Sequence, residues 1–326
     1  TSENINEVYP TYYPPRKTPK ECYEQIIADL TDAEQYAPDN DNSDRTKMTK
    51  TVAQAMLAKV YAEKEVQDYD KVIAYADKVM NTTGVELEDS YETLWGYDET
   101  AKDCMKRNTK EGILEVHWTT GSGNWETWMY GRPLDDWDYY FTWAKWITPS
   151  RDIINAFDKE GDEVRKNQAI VYYACTWSNY YPASNYPFMY KLRSSYSNIY
   201  WIRLADIILM KAEAEAYKGN LDESAKLVNQ IRKRAKLKEL TSDKTNSKEA
   251  MIEAVLHERR LELAFEGERW FDLCRNNKVE KYLNGIDNRD KGRIKQVKLF
   301  DSNSYLLPIP QTALDQNTNL KQNPGY

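Results

Sequence analysis

The chain of 326 residues is poor in histidine (two), cysteine (four) and phenylalanine (six), and each scarcity closes a chemical route. His257 opens the string His257-Glu258-Arg259-Arg260-Leu261, which begins like a zinc-protease motif. It lacks the second His one helical turn on, so no metal-ligand pair forms. Cys22, Cys104, Cys175 and Cys274 contain no CxxC pair, and a chain this long does not need disulfide staples, so they read as ordinary thiols. There is no Gly-rich phosphate loop, no G-x-S-x-G elbow and no recognisable Cys/His spacing, which removes the usual kinase, dehydrogenase and hydrolase signatures and calls for no cofactor. No apolar run approaches the roughly 18 to 20 residues of a membrane span. Residues 1–20 lack the charged start and apolar centre of a signal peptide. Positive charge is also short: 45 Lys and Arg stand against 52 Asp and Glu, a formal net charge of -7 with no dense basic run, which excludes a nucleic-acid partner.

Against these shortages stand 25 tyrosines and 10 tryptophans. Such side chains combine a flat apolar face with a polar edge and suit a wet binding surface. Six of the tryptophans, Trp118, Trp125, Trp128, Trp137, Trp143 and Trp146, fall in one short stretch.

Helical signals are strongest at the two ends. Thr18-Pro19-Lys20-Glu21 is a capping box with Pro at the first helical position, and Tyr23, Ile26, Ile27, Leu30 and Ala33 follow at helical spacing, predicting a helix from Thr18 to Tyr36. Further helices are expected from Thr46 to Glu65, Tyr69 to Asn81, Asn246 to Glu266 (opened by Asn246 with Glu249) and Glu268 to Asn276. Ala58-Lys59-Val60-Tyr61 before Tyr69, Ile73, Ala76 and Val79 has the same sense as Ala214-Glu215-Ala216-Tyr217 before Leu221, Ala225, Val228 and Ile231. This repeated hairpin resembles the tetratricopeptide unit, whose small residues let paired helices approach closely. Between the ends, periodicity fades, and a short strand is expected from Ile113 to Trp118. The expected fold is mostly α: helix pairs over 1–90, a loop-rich aromatic lobe with a few short strands over 91–200, and a helical scaffold over 201–326.

The aromatic lobe interleaves rings with Asp, Asn and Arg. Such a mixture suits a ligand with apolar C–H faces and many hydroxyls, of which carbohydrate is the natural candidate. The expected ligand-binding residues are Trp125, Trp128, Tyr130, Asp136, Trp137, Tyr139, Tyr140, Trp177 and Tyr181. Three alternatives stand beside this: the rings fill a loop-rich core, the chain is a peptide-binding or assembly module, or Glu126, Asp135, Asp136 and Asp138 serve as glycosidase carboxylates. No catalytic residue is expected.

The densest charge pattern runs from Glu258 to Leu273. Glu258, Glu262 and Glu266 share a helical face, as a di-metal site would require. Arg259, Arg260, Arg269 and Arg275 interrupt them, so a structural ion-pair network that neutralises these acids is expected.

Together with its neighbours this string resembles the SusD/RagB family of Bacteroidetes outer-membrane lipoproteins. The matching residues are the helix Arg203-Leu204-Ala205-Asp206-Ile207-Ile208-Leu209-Met210-Lys211-Ala212-Glu213-Ala214, then Asn229 to Ala235, the Glu258 to Leu273 run, Pro308-Ile309-Pro310 and the ending Gln322-Asn323-Pro324-Gly325-Tyr326. Pro149-Ser150 through Ile153, Ala156 and Phe157 to Asp162 and Arg165 is similar to a further family segment. The resemblance implies a cell-surface oligosaccharide-binding protein that delivers its ligand to a SusC-like TonB-dependent transporter. It also implies that the chain lacks an N-terminal third bearing the signal peptide, the lipidated Cys anchor to the outer membrane, further helical repeats and some ligand contacts. The family motifs imply scaffold roles for the residues that carry them.

Overall fold

The computed structural model describes residues 13–101, 103–118, 125–132, 147–175, 177–178, 180–291 and 295–326. It is mostly α, with helix pairs at both ends and a few two-stranded sheets between them. Helix α1, Pro19–Tyr36, opens on the expected capping box: the Glu21 amide donates to Thr18 Oγ1 (3.2 Å) and the Thr18 amide to Glu21 Oε2 (2.9 Å). Helix α2, Lys50–Ala62, begins four residues later than the sequence pattern suggests. Asp44 accepts from the Thr46 amide (3.1 Å) in a local turn, leaving Thr49 to cap the helix through Val52. Helix α3, Tyr69–Met80, is capped by Asp68 and runs as expected.

The hairpin packs because α2 offers alanines to its neighbours. Ala53, Ala55, Ala58 and Ala62 are all at most 4% exposed, and Val72, Ala76 and Val79 of α3 are fully buried. Small faces let helix axes close in, and Ile27 and Leu30 of α1 then cover Leu57, Ala58 and Tyr75.

The middle of the chain holds β1, Gly112–Val116; α4, Trp125–Tyr130; α5, Arg151–Glu160; α6, Glu163–Ala169; β2, Ile170–Tyr173; β3, Tyr186–Met189; and β4, Ile199–Arg203. Strands β1 and β4 pair antiparallel with Leu114 opposite Ile202, while β2 and β3 form a second antiparallel pair with Ile170 opposite Met189.

The C-terminal helices are α7, Leu204–Lys218; α8, Leu221–Arg234; α9, Lys248–Glu262; α10, Arg269–Arg275; α11, Val279–Leu283; and α12, Ile286–Arg289. The α7–α8 hairpin turns at Gly219, whose φ of 86° an L side chain adopts only with strain. Ser224 donates to the Ala212 carbonyl (2.7 Å), so even the polar group at this contact is satisfied. The two hairpins meet: Tyr69 of α3 stacks on Tyr217 of α7 at 4.6 Å, and Val72 packs with Met210 and Ala214. Helix α9 is capped by Ser247 through the Ala250 amide rather than by Asn246. It stops at Glu262, short of Glu266, because Phe265 (φ 67°) and Gly267 (φ 88°) turn the chain through the left-handed region. One core joins Val52, Val79, Ile113, Ile202, Leu209 and Val255.

A buried ion network fixes the middle of the chain on this scaffold, with partners different from those the sequence pattern suggests. Glu262 meets Arg203 and Arg234 at 2.6 Å and Arg165 at 3.2 Å, and takes the Tyr91 hydroxyl at 2.6 Å. Glu258 pairs with Arg165 (2.7 Å) and Arg232 (3.0 Å), and Glu266 with Arg203 (2.6 Å) and Lys191 (2.5 Å). Desolvation alone would raise the carboxyl of Glu262, but the charges of Arg234, Arg203 and Arg165 hold it well below the usual carboxylate range. The arginines of the same string turn to other acids: Arg259 to Asp206 (2.7 Å) and Asp272 (2.9 Å), Arg260 to Asp152 (2.8 Å), and Arg275 to Glu213 (2.6 Å). Their helix faces point away from Glu258, Glu262 and Glu266, so pairing is between elements, not along the string.

Candidate functional site

Helix α4 carries the first expected ligand residues. Trp125 is 64% exposed and meets Trp128 edge to face at 5.2 Å. Thr127 donates to the Ser194 carbonyl (2.9 Å) and fixes the inner face of α4, while Glu126 is exposed beside the tryptophans. The helix ends at Gly131, where a Cβ would lie 2.1 Å from the Leu192 carbonyl oxygen, so only glycine permits this approach. Gly131 in turn bridges to Met189 at the end of β3. Tyr130 is half-buried next to this bridge.

Trp177 and Tyr181 gather about one ring, that of the buried Tyr186. Trp177 lies edge-on to it at 4.8 Å and Tyr181 at 5.7 Å. Trp177 also faces Phe188 at 6.3 Å, so its contacts within the lobe are those of a packing ring. Asp136, Trp137, Tyr139 and Tyr140 lie outside the described residues.

Tyr181 also belongs to the wall of a cavity of about 620 Å³, within the range of about 300–1,000 Å³ typical of small-molecule sites. The cavity is built by chain segments far apart in sequence: residues 147–153, the turn at Tyr180 and Tyr181, the end of α9 with its left-handed turn, and the α10–α12 region. Met189 lines it too, so the wall adjoins α4 through the Gly131 bridge. Ser150 caps α5 by accepting from the Ile153 amide (3.2 Å), which sets Arg151 and Asp152 in the first helical turn at this wall.

The rings and charges of the cavity are held in place. Tyr181 donates to the Pro149 carbonyl (2.6 Å), and the Arg151 guanidinium lies over its ring at 4.1 Å. Burial, then the charge of Asp290, pushes the Tyr181 phenol above its ordinary range, so it remains a hydroxyl donor. Arg151 donates to the Tyr180 carbonyl and pairs with Asp290 (3.2 Å). Asp152 is shared by Arg260 (2.8 Å) and Arg289 (3.2 Å). Tyr282, pushed up to about 12 by burial and by its hydrogen bond to Glu253, presents its ring to Arg269 at 4.8 Å. Trp270 and Leu263 supply apolar wall. Rings beside forked guanidiniums and carboxylates can cover sugar faces and accept or donate to hydroxyls.

Of this wall, only Tyr181 is among the residues expected from sequence. Arg151, Arg260, Arg269, Trp270 and Tyr282 sit in segments whose residue pattern reads as scaffold, and no local motif marks their convergence. Among the described residues, no group of three or more His, Cys, Asp or Glu is arranged to hold a metal ion, and His257 contacts Glu160 at 3.2 Å. No helix among them is long and apolar enough to cross a membrane.

Comparison with known proteins gives a consistent set of relatives. A model of the SusD family matches residues 91–326. The SusD-like protein P2 of Formosa agariphila is 28% identical over 355 residues, covering 95% of this chain and 66% of that protein, so the chain spans just under two thirds of this curated relative. A SusD superfamily structure from Bacteroides vulgatus superposes with a TM-score of 0.74 at 24% identity, covering 97% of this chain and 70% of the other. A laminarin-binding SusD-like protein superposes with a TM-score of 0.69 at 23% identity, covering 95% and 70%. At these identities the two structures share the fold.

Proposed function

The chain belongs to the SusD family, and on that premise we propose that it binds oligosaccharide at the outer face of the outer membrane and passes it unaltered to a SusC-like TonB-dependent transporter. The observation that carries the reading is the pairing of two kinds of surface: the exposed Trp125 with the half-buried Trp128 on α4 and, joined to that helix through the Gly131–Met189 bridge, a cavity walled by rings, guanidiniums and carboxylates. A stacked ring covers the C–H face of a sugar while fixed polar groups take its hydroxyls, which gives affinity without a reacting group. The laminarin-binding protein of the same fold supports a saccharide ligand. Asp136, Trp137, Tyr139 and Tyr140 belong to the proposed site as neighbours in sequence of α4.

Affinity electrophoresis against a panel of glycans, laminarin included, tests this. At least one glycan should retard the protein, and Trp128→Ala should weaken the retardation without releasing any reducing sugar in either case. Uniform indifference to every glycan would overturn the reading.

A further inference from the structure

The cavity carries more positive charge than its own carboxylates neutralise. Arg259 lines it too but is neutralised by Asp206 and Asp272. The two acids on the wall, Asp152 and Asp290, already serve Arg260, Arg289 and Arg151. Arg269 is left over. Among the described residues no carboxylate lies within 4 Å of it; it donates to the Leu256 carbonyl (3.1 Å) and rests on the Tyr282 ring. Asp272, three residues further along α10, is used instead by Arg259 (2.9 Å) and Arg275 (2.7 Å). Three guanidiniums of the wall, those of Arg151, Arg260 and Arg269, thus stand against two carboxylates, one of which Arg289 also shares.

A backbone carbonyl and an aromatic face orient a guanidinium but do not cancel its charge, and a largely buried cation without a counterion is unfavourable. Burial and the nearby Arg260 lower Arg269 to about 10, so it remains cationic at neutral pH and feels the positive field of its neighbours. Every other arginine named in the buried network has a carboxylate within 3.2 Å. The exception therefore falls on the cavity wall, beside Trp270, Tyr282 and Leu263.

We propose that this cavity reads an anionic group on the bound saccharide, a uronate carboxylate or a sulfate ester, with Arg269 as the principal counter-charge and Arg260 beside it. Both groups present oxygens that a guanidinium fork binds in pairs, and the sugar ring bearing them has an apolar face for Trp270 or Tyr181. The proposal rests on the saccharide-binding reading and narrows its ligand class.

The test uses matched ligands and titration calorimetry on the full chain. Oligogalacturonate is compared with the same oligosaccharide after carboxyl reduction, and a sulfated galactan oligosaccharide with its desulfated form. One acidic member should bind about tenfold more tightly than its neutral partner, the effect of one charge-assisted hydrogen bond. The pair in which the preference appears tells carboxylate from sulfate. The preference should shrink as salt rises, and Arg269→Gln should remove it, so that acidic and neutral partners bind alike. Arg260→Gln, which leaves Asp152 to Arg289 alone, should reduce it in a second, independent background should Arg269→Gln fail to fold. Equal binding of acidic and neutral partners, or a folded Arg269→Gln protein with the preference intact, would overturn the proposal and leave saccharide binding standing. Binding of neither member of any pair, nor of any neutral glycan, would instead remove the saccharide reading itself.

Discussion

At the scale of the residue, the buried network sets the stability of the molecule. Glu262 balances Arg165, Arg203 and Arg234 at once, so Glu262→Gln removes a shared counter-charge and leaves these three buried cations to Glu258, Glu266 and Glu111. A loss of about 3–5 kcal/mol in unfolding free energy is expected, measured by chemical denaturation. Glu160 gives a pH signature. Its hydrogen bond with His257, then those with Arg232, outweigh burial and lower it from 4.5 to about 2. A folded-state pKa below the unfolded one means that Glu160 stabilises the fold above about pH 4.5 and that this contribution disappears as pH falls towards about 2. Glu160→Gln should therefore flatten the acid limb of the melting-temperature profile in that window. That Glu258, Glu262 and Glu266 belong to an ion network was legible from their spacing and the arginines among them. Which arginines they meet was not, because Arg165, Arg203, Arg232 and Arg234 come from three other elements and local sequence carries no record of that convergence.

At the scale of the element, helix existence was legible and helix ends less so. The α1 capping box and the α3 apolar face follow from residue pattern, whereas the starts of α2 and α9 depend on which residue supplies the cap. Asp44 holds both the amide and the hydroxyl of Thr46 in a turn, and α2 starts where Thr49 accepts from the Val52 amide. For the candidate site the decisive element is α4, seated by Gly131. Gly131→Ala would drive a methyl group into the Leu192 carbonyl and shift the helix that carries Trp125 and Trp128. Tryptophan fluorescence should change and glycan retardation should weaken, with the α2–α3 and α7–α8 hairpins intact by far-UV circular dichroism. Trp125→Ala, at a position 64% exposed, should instead alter stability by no more than about 0.5 kcal/mol.

At the scale of the whole molecule, the helical scaffold brings to one wall residues that no linear motif unites. Alanine faces and the Tyr69–Tyr217 stack join the two hairpins, the Glu262 network fixes β4 and α6 on them, and the cavity forms where α5, α9 and α10 meet. The mostly α class could be read from amphipathic periodicity, and the abundance of Trp and Tyr pointed to the middle of the chain. Those rings have different roles in the fold, since Trp177 packs, Tyr181 both packs and lines the cavity, and Trp125 is exposed with Trp128 half-buried beside it. Composition cannot separate these roles, which depend on the face of each ring that the tertiary fold covers.

The proposed saccharide contact lies on Trp125 and Trp128, with stability resting elsewhere. Titration calorimetry of the best glycan from the panel against the wild type and the Trp125→Ala/Trp128→Ala double variant, with melting temperatures taken on the same samples, tests it most directly. A binding isotherm is expected for the wild type, with loss of at least about tenfold in affinity for the double variant and a melting temperature that moves little. Unchanged affinity in a folded double variant would contradict it.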